Sequence, residues 1–265
     1  MPTPEELLPI ALEAVARASE VVRNRAPGTV TAKGDRDPAT EVDYAVERAV
    51  REFLLAEAPE VGFLGEEDGR FGADDAELVW ALDPVDGTVN FMHGVPLCAV
   101  SLGLVRGDRS VLGVIDLPFL GLRYSAVDGL GAYRDGDRIA AARDADRLAD
   151  AVVALGDYAV GADASQKNVE RLRTTELLAA SVQRIRMFGS AAVDLVWVAD
   201  GRIAATVMQT NLPWDTAAGV AVAREAGAVI VDLDGNSHTT RSASTVAVTP
   251  TLLDELMALL RRRRG

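Results

Sequence analysis

Asp83-Pro84-Val85-Asp86-Gly87-Thr88-Val89-Asn90-Phe91 is the stretch on which the reading of this 265-residue chain turns. The apolar run before it, Leu78 to Leu82, reads as a strand, and proline and glycine then impose a tight turn. Two carboxylates three residues apart on such a turn can converge on one point, and the carbonyl of Val85 between them would be turned toward the same point. Hard oxygen ligands of this kind suit magnesium or manganese better than zinc. The pentapeptide taken alone is also ordinary turn chemistry, since every residue in it favours turns. Thr88 and Asn90 point to a metal loop instead, as do two further acidic sites: Gly65-Glu66-Glu67-Asp68 after another strand, and Trp214-Asp215 opening a helix. An EF-hand is excluded, because with Gly87 at its sixth position the first and twelfth would be Leu82 and His93. A P-loop is excluded because no glycine-lysine-Ser/Thr sequence occurs.

Outward from this loop, Thr3-Pro4-Glu5-Glu6 has the form of a capping box and opens an amphipathic helix with Leu7, Ala11, Val15, Ala18 and Val22 on one face. A second helix is expected from near Thr40, burying Val46, Val50, Phe53 and Leu54. Val61–Leu64, Leu78–Leu82, Leu97–Val105, Ser110–Leu117 and Arg123–Val127 read as strands of an antiparallel or mixed sheet, because most joining segments are too short for crossover helices. The polar segment Ala141–Leu148 is a candidate domain boundary, giving an amino-terminal α+β domain over 1–145 and a carboxy-terminal α/β domain over 146–265. Beyond it, strand-like and helix-like segments alternate: Ala151–Leu155, Gln166–Ala180, Val182–Met187, Ser190–Ala199, Ile203–Val207, Thr216–Ala226 and Val229–Val231. The whole reads as an α/β protein with helices layered on sheets.

Forty acidic against 27 basic residues leave a net charge of -13, which argues against general nucleic-acid binding. The single cysteine, Cys98, excludes an intramolecular disulfide and a thiolate zinc cluster, and His93 and His238 are too few for an imidazole metal site. Cys98 lies in an apolar strand and reads as core; His93 is expected beside the site or on the surface. No leader-like amino terminus or membrane-length apolar run is seen, so a soluble, cytoplasmic protein is expected. Arg261 to Arg264 read as a solvated last helical turn, with a basic interaction tail as the alternative.

Three segments together resemble the inositol monophosphatase family, within the magnesium-dependent, lithium-sensitive phosphatases that include fructose-1,6-bisphosphatase. They are Gly65-Glu66-Glu67, the loop Asp83–Phe91, and Trp214-Asp215-Thr216-Ala217-Ala218-Gly219; Gly129-Leu130-Gly131-Ala132-Tyr133 and Gly189-Ser190-Ala191-Ala192 add to the likeness. The resemblance implies an αβαβα sandwich. It implies that Glu66, Asp83, the Val85 carbonyl, Asp86 and Asp215 hold two or three magnesium ions per subunit, with manganese as the alternative. It gives Gly87 and Thr88 to the phosphate, and Gly189, Ser190, Ala191 and Asp215 to the substrate. Thr88 paired with Asp43, alongside Glu66, would help deprotonate an attacking water, although Thr40-Glu41-Val42-Asp43 is itself a capping box and both roles can hold. The expected activity is metal-assisted hydrolysis of a small polyol or sugar monophosphate, and the family commonly forms homodimers. Histidinol phosphate and 3'-phosphoadenosine 5'-phosphate are the alternative substrates, and a regulatory binding protein that keeps the fold is the alternative of a different class.

One position departs from the inositol-specific pattern. The acidic residue expected seven positions before Asp215 is Met208, whose thioether is a poor acceptor, so inositol 1-phosphate is expected to be a mediocre substrate. Gln209, Thr210 and Asn211 are candidates for replacement contacts. Trp214 is expected to pack its helix on the sheet, and Arg186 either to reach a substrate anion or to form a surface ion pair.

Overall fold

The computed structural model describes residues 1–35, 37–73, 75–141 and 145–264. Residues 142–144 of the candidate domain boundary therefore lie outside the described residues. Helix α1 (Pro4–Asn24) opens on its capping box, with the Glu6 amide donating to Thr3 Oγ1 at 3.3 Å and the Thr3 amide to the Glu6 carboxylate at 2.8 Å. An exposed antiparallel pair, β1 (Val30–Gly34) and β2 (Asp37–Thr40), precedes α2 (Glu41–Glu57).

The chain then builds β3 (Gly62–Gly65), β4 (Arg70–Phe71), β5 (Leu78–Asp86), the short helix α3 (Thr88–Met92), β6 (Ala99–Arg106), β7 (Arg109–Leu117), β8 (Leu122–Val127), β9 (Gly131–Arg134) and β10 (Asp137–Ile139). These strands form one sheet in the order β10-β9-β8-β7-β6-β5-β3-β4, antiparallel throughout except for β3 beside β5. Tight turns explain this; β6 and β7, for example, are joined by Gly107-Asp108 alone, with Gly107 at φ 63°.

The second half contributes β11 (Val152–Leu155), α4 (Ala164–Ala179), β12 (Arg184–Arg186), α5 (Ala191–Ala199), β13 (Ala205–Met208), α6 (Pro213–Glu225), β14 (Val229–Val231), β15 (Thr245–Val248) and α7 (Leu253–Arg261). Its sheet runs β12-β11-β13-β15-β14, parallel from β12 to β13 and antiparallel around β15. The expected alternation of strand and helix is present, but β15 lacks an obvious sequence signal and turns the sheet mixed.

Three apolar cores define the layers. Leu7 and Val15 of α1 and Val46 and Val50 of α2 cover Trp80, Leu102 and Leu104 on one face of the large sheet. Leu195, Val196 and Val220 of α5 and α6 fill the space between Ile115 and Tyr124 of the large sheet and Met208 and Ala247 of the small one. Leu178, Leu256 and Leu260 of α4 and α7 close the far face over Val153, Val207 and Val246. The result is the αβαβα sandwich, with a middle core drawn from both halves of the chain.

Helix α6 is held closest. A Cβ added at Gly113 would stand 2.2 Å from the Ala218 carbonyl oxygen, and one at Gly103 would stand 2.7 Å from the Ala217 Cβ. On the opposite side, Gly219 receives Leu195 of α5. Trp214, expected to do this packing, is half-buried and lies outside the apolar cores. The small residues Ala217, Ala218 and Gly219 set the helix position instead, because only they let backbone meet backbone.

The carboxy-terminal arginines also differ from a uniformly solvated turn. Arg263 is buried, pairing with Glu170 at 2.6 Å and Asp234 at 3.0 Å while donating to the carbonyls of Leu233 and Leu260. Arg261 and Arg262 remain exposed. No helix among the described residues is long and apolar enough to cross a membrane.

Candidate active site

Strand β5 carries the first two carboxylates. Residues 83 and 86 are an odd number of positions apart and would face opposite sides of a regular strand. The pairing of Asp83 with Ser101 and of Asp86 with Ala99 sets three steps on β5 against two on β6, and this bulge turns both aspartates to one side. Asp83 is 3% exposed and Asp86 7%. The Val85 amide closes the turn on Asp83 Oδ1 at 3.0 Å. Gly87 follows at φ 85°, where a Cβ would stand 2.9 Å from the Leu97 carbonyl and 3.1 Å from that of Gly189, so no other residue fits. Since α3 has only five residues, the expected phosphate contacts rest on single amides of the turn rather than on a helix dipole.

Glu66 is brought to Asp83 by the parallel pairing of β3 with β5, which continues in the Glu66 amide's 3.2 Å bond to the Leu82 carbonyl. Behind it lies a residue that sequence reasoning missed. Glu47 of α2, fully buried, accepts from the amides of Glu67 and Asp68, each at 2.8 Å, and so fixes the turn that presents Glu66. Gly65 leaves room for it, because a Cβ there would stand 2.3 Å from that carboxylate. Lys33 of β1, also missed, bridges Glu66 and Glu67.

Asp215 enters from the first turn of α6. The turn is anchored by Thr216, which donates to Asn211 and to the Leu212 carbonyl, and by Asn211, which donates to the Ser242 carbonyl at 2.7 Å. Asn211 is thus committed to structure, and Gln209 donates to Thr174 Oγ1 at 2.7 Å, which leaves Thr210 as the one of those three that lines the cavity described below.

Thr88 and Asp43 meet as expected. Asp43, fully buried, caps α2 through the Thr40 amide at 2.9 Å and the Thr40 hydroxyl, and its other oxygen lies 3.3 Å from Thr88 Oγ1. The cap and the Thr88 contact therefore use different carboxylate oxygens of Asp43, so the cap does not occupy the oxygen that the catalytic reading needs. Thr88 Oγ1 also lies 3.0 Å from the Val85 carbonyl.

Gly189, Ser190 and Ala191 stand at the start of α5. Ser190 Oγ and the amides of Ala191 and Ala192 all donate to Asp86, the last at 2.7 Å, so they orient a carboxylate, and Gly189, Ser190 and Ala191 also line the cavity. Asn90 ties the same segment down by donating to the Leu97 and Phe188 carbonyls at 2.8 and 2.6 Å. Cys98 is buried core, His93 is exposed, and Arg186 donates to the Ile185 carbonyl on the exposed edge strand β12; none of them lines the cavity.

The charges explain what such a site requires. Burial, then Glu66, Asp86 and Asp215, push the Asp83 carboxyl far above the usual carboxylate range. Burial raises Asp86 to about 6 despite its bonds from Ser190, Ala192 and Ala191. Burial and then Asp86 and Glu66 raise Asp215, with Lys33 acting against the shift. Among the described residues no three acidic or imidazole groups close on one coordination point as the side chains stand. The donor set nevertheless fits a hard divalent cation: every candidate ligand is a carboxylate or carbonyl oxygen, and of the four acids only Glu66 is paired with a described base.

Beside these groups opens a cavity of about 170 Å³. Asp86, Ser190 and Asp215 line it together with Asp157, Asp194 and Met208. Asp157 and Asp194 were not anticipated. The one available signal was for Asp194, a lone charge in the otherwise apolar Ala191–Ala199.

Acidic side chains from both halves of the chain beside a small polar cavity suit a phosphoric monoester hydrolase, and the comparisons with known proteins give that class. The inositol monophosphatase family model matches residues 3–264, and the chain belongs to that family, which is magnesium-dependent. Among curated relatives, probable inositol 1-monophosphatase ImpA of Mycobacterium tuberculosis is 38% identical over 92% of this chain and 89% of its own length. Inositol-1-monophosphatase ImpA of Mycolicibacterium smegmatis is 36% identical over 91% and 86%. Among solved structures, the extragenic suppressor protein suhB of Bartonella henselae superposes with a TM-score of 0.89 at 29% identity, covering 97% of this chain and 98% of that one. Inositol monophosphatase from Anabaena gives 0.87 at 30%, covering 97% and 96%.

Proposed function

We propose that this protein hydrolyses a small polyol monophosphate, with inositol 1-phosphate the first substrate to test, and that Glu66, Asp83, the Val85 carbonyl, Asp86 and Asp215 hold its two or three magnesium ions. The observation that carries the reading is that Asp86 of β5 and Asp215 of α6 line one cavity, with Thr88, two residues beyond Asp86, set against Asp43. When bound, divalent cations supply Lewis-acid stabilisation of phosphoryl oxygens and acidify water. The residues of the chain do the rest. Thr88 Oγ1, held at 3.3 Å from Asp43, takes the proton of the attacking water and passes its own to Asp43 Oδ1. Burial raises the Asp43 carboxyl, making it a stronger base than an exposed aspartate. Water attacks phosphorus as the ester P–O bond breaks, and the departing alkoxide takes a proton from solvent. The turn amides of Gly87 and Thr88 hold the phosphate.

A panel of inositol 1-phosphate, sugar phosphates, histidinol phosphate and 3'-phosphoadenosine 5'-phosphate tests the substrate class. A polyol or sugar ester should give the highest kcat/KM, with inositol 1-phosphate turned over but not the best of the panel because Met208 offers its ring no acceptor; a preference for either of the last two compounds would overturn the substrate class.

We also propose a homodimer. Val160, Val169, Leu172 and Met187 expose 42–69% of their surface along α4 and the segments near β12, and a second copy would cover them. Leu172→Glu should convert a dimer to a monomer in light scattering without loss of helix content. A wild-type monomer at micromolar concentration would contradict this.

A further inference from the structure

We infer that Asp157 recognises the alcohol half of the substrate by accepting hydrogen bonds from polyol hydroxyls; this rests on the phosphatase reading above. Strands β11 and β13 run parallel with Leu155 beside Val207, and the Gly156 amide donates to the Val207 carbonyl at 3.0 Å. Residues 157 and 208 therefore leave neighbouring strands at the same end, and both line the cavity that Asp86 and Asp215 also line. Gly156 and Met208 lie side by side, a Cβ on the former being in ordinary contact distance of Met208 Cα at 3.4 Å.

Met208 is buried and gives that wall an apolar surface with no useful acceptor. The carboxylate lies one strand over. Asp157 is exposed at the lip, and among the described residues nothing donates a hydrogen bond to its side chain. Arg171 bonds to the Asp157 backbone carbonyl at 2.5 Å rather than to its side chain. The side chain's unused acceptor capacity suits the hydroxyl donors of a polyol. Asp194, deeper in the wall, receives Thr206 at 3.0 Å on one oxygen and its other oxygen is shut off from the cavity, so Asp157 is the carboxylate there that a ligand can reach. A polyol can donate to it, whereas a simple aryl phosphate has no hydroxyl on its alcohol half to do so.

The test compares wild type, Asp157→Leu and Asp157→Asn on inositol 1-phosphate, 2-aminoethyl phosphate and p-nitrophenyl phosphate at saturating magnesium. For Asp157→Leu, kcat/KM on inositol 1-phosphate should fall about tenfold, chiefly through KM, as expected for losing a hydrogen bond to a charged acceptor. Turnover of p-nitrophenyl phosphate should stay within about twofold, showing an intact metal centre. Asp157→Asn, which keeps a carbonyl acceptor, should lose less, about threefold. Unchanged inositol 1-phosphate kinetics in Asp157→Leu would overturn the assignment while leaving the phosphatase intact. So would 2-aminoethyl phosphate being the most impaired substrate, because that marks a cation site. Failure of the wild type on all three esters would remove the phosphatase reading and this inference with it.

Discussion

Asp86→Asn should leave a folded protein with less than about one hundredth of wild-type turnover, since even groups that merely orient a metal ligand are worth ten- to a hundredfold. The fold should survive because the asparagine carbonyl still accepts from the start of α5, where Ser190 and the amides of Ala191 and Ala192 point. In the absence of metal the variant should be at least as stable as wild type. The folded-state carboxyl lies near 6, against 3.8 for an unburied aspartate, so the fold prefers its protonated form. Holding it ionised at pH 7 costs roughly 3 kcal/mol, a cost that grows as pH rises from about 4 through 6 and then levels off. Metal-free wild type should therefore gain stability on acidification from pH 7 toward 5, and Asp86→Asn should show less of that gain. Thermal melts in chelator across this range, together with calorimetric titration of magnesium, check both halves. Near wild-type turnover by the variant at saturating magnesium would remove Asp86 from the metal centre.

Gly113→Ala should be the most damaging glycine-to-alanine change among the described residues. Its Cβ would lie 2.2 Å from the Ala218 carbonyl oxygen, an atom of helix backbone that no rotamer change can move aside. Helix α6 would have to lift by more than an ångström from a sheet on which Gly103 also holds it closely. Overpacking of this severity costs about 3 kcal/mol, or roughly 6–10 °C in melting temperature for a chain of this size. Because Asp215 lies one helical turn before Ala218, the same displacement moves a proposed metal ligand. The apparent affinity for magnesium should weaken together with stability, whereas a purely structural lesion would leave the metal titration of the folded protein unchanged. A melting temperature within 1 °C of wild type would contradict the close-packing account.

Asp86 and Gly113 also mark where sequence reading succeeds and where it stops. The turn at Asp83–Asn90 was legible because its chemistry is local: proline, glycine and two carboxylates within a few residues restrict the backbone before any tertiary contact forms. The pairing of Asp43 with both Thr40 and Thr88 was legible only in part, the first from a capping pattern and the second from resemblance. Glu47 was hidden, because a helix residue that accepts the amides of Glu67 and Asp68 looks in sequence like any solvated glutamate. Asp157 was hidden for the same reason, since its place beside Met208 depends on the pairing of β11 with β13 across about fifty residues. Strand β15 escaped notice because four residues of short apolar pattern carry no periodicity, and their partners in β13 and β14 lie well upstream. Trp214 was misjudged because size was taken as the packing element, whereas α6 seats itself by the absence of side chains at Gly103, Gly113 and Gly219.

The central claim is that this strongly acidic protein must recruit cations to its buried carboxylates before it can act on an anionic ester. Phosphate release from inositol 1-phosphate, followed as free magnesium is raised from a chelated start, tests it most directly. The expected result is no release in chelator, saturable activation as magnesium is restored, and loss of that activation in Asp86→Asn. Undiminished release in excess chelator would contradict the account, as would a magnesium response that Asp86→Asn leaves unaltered.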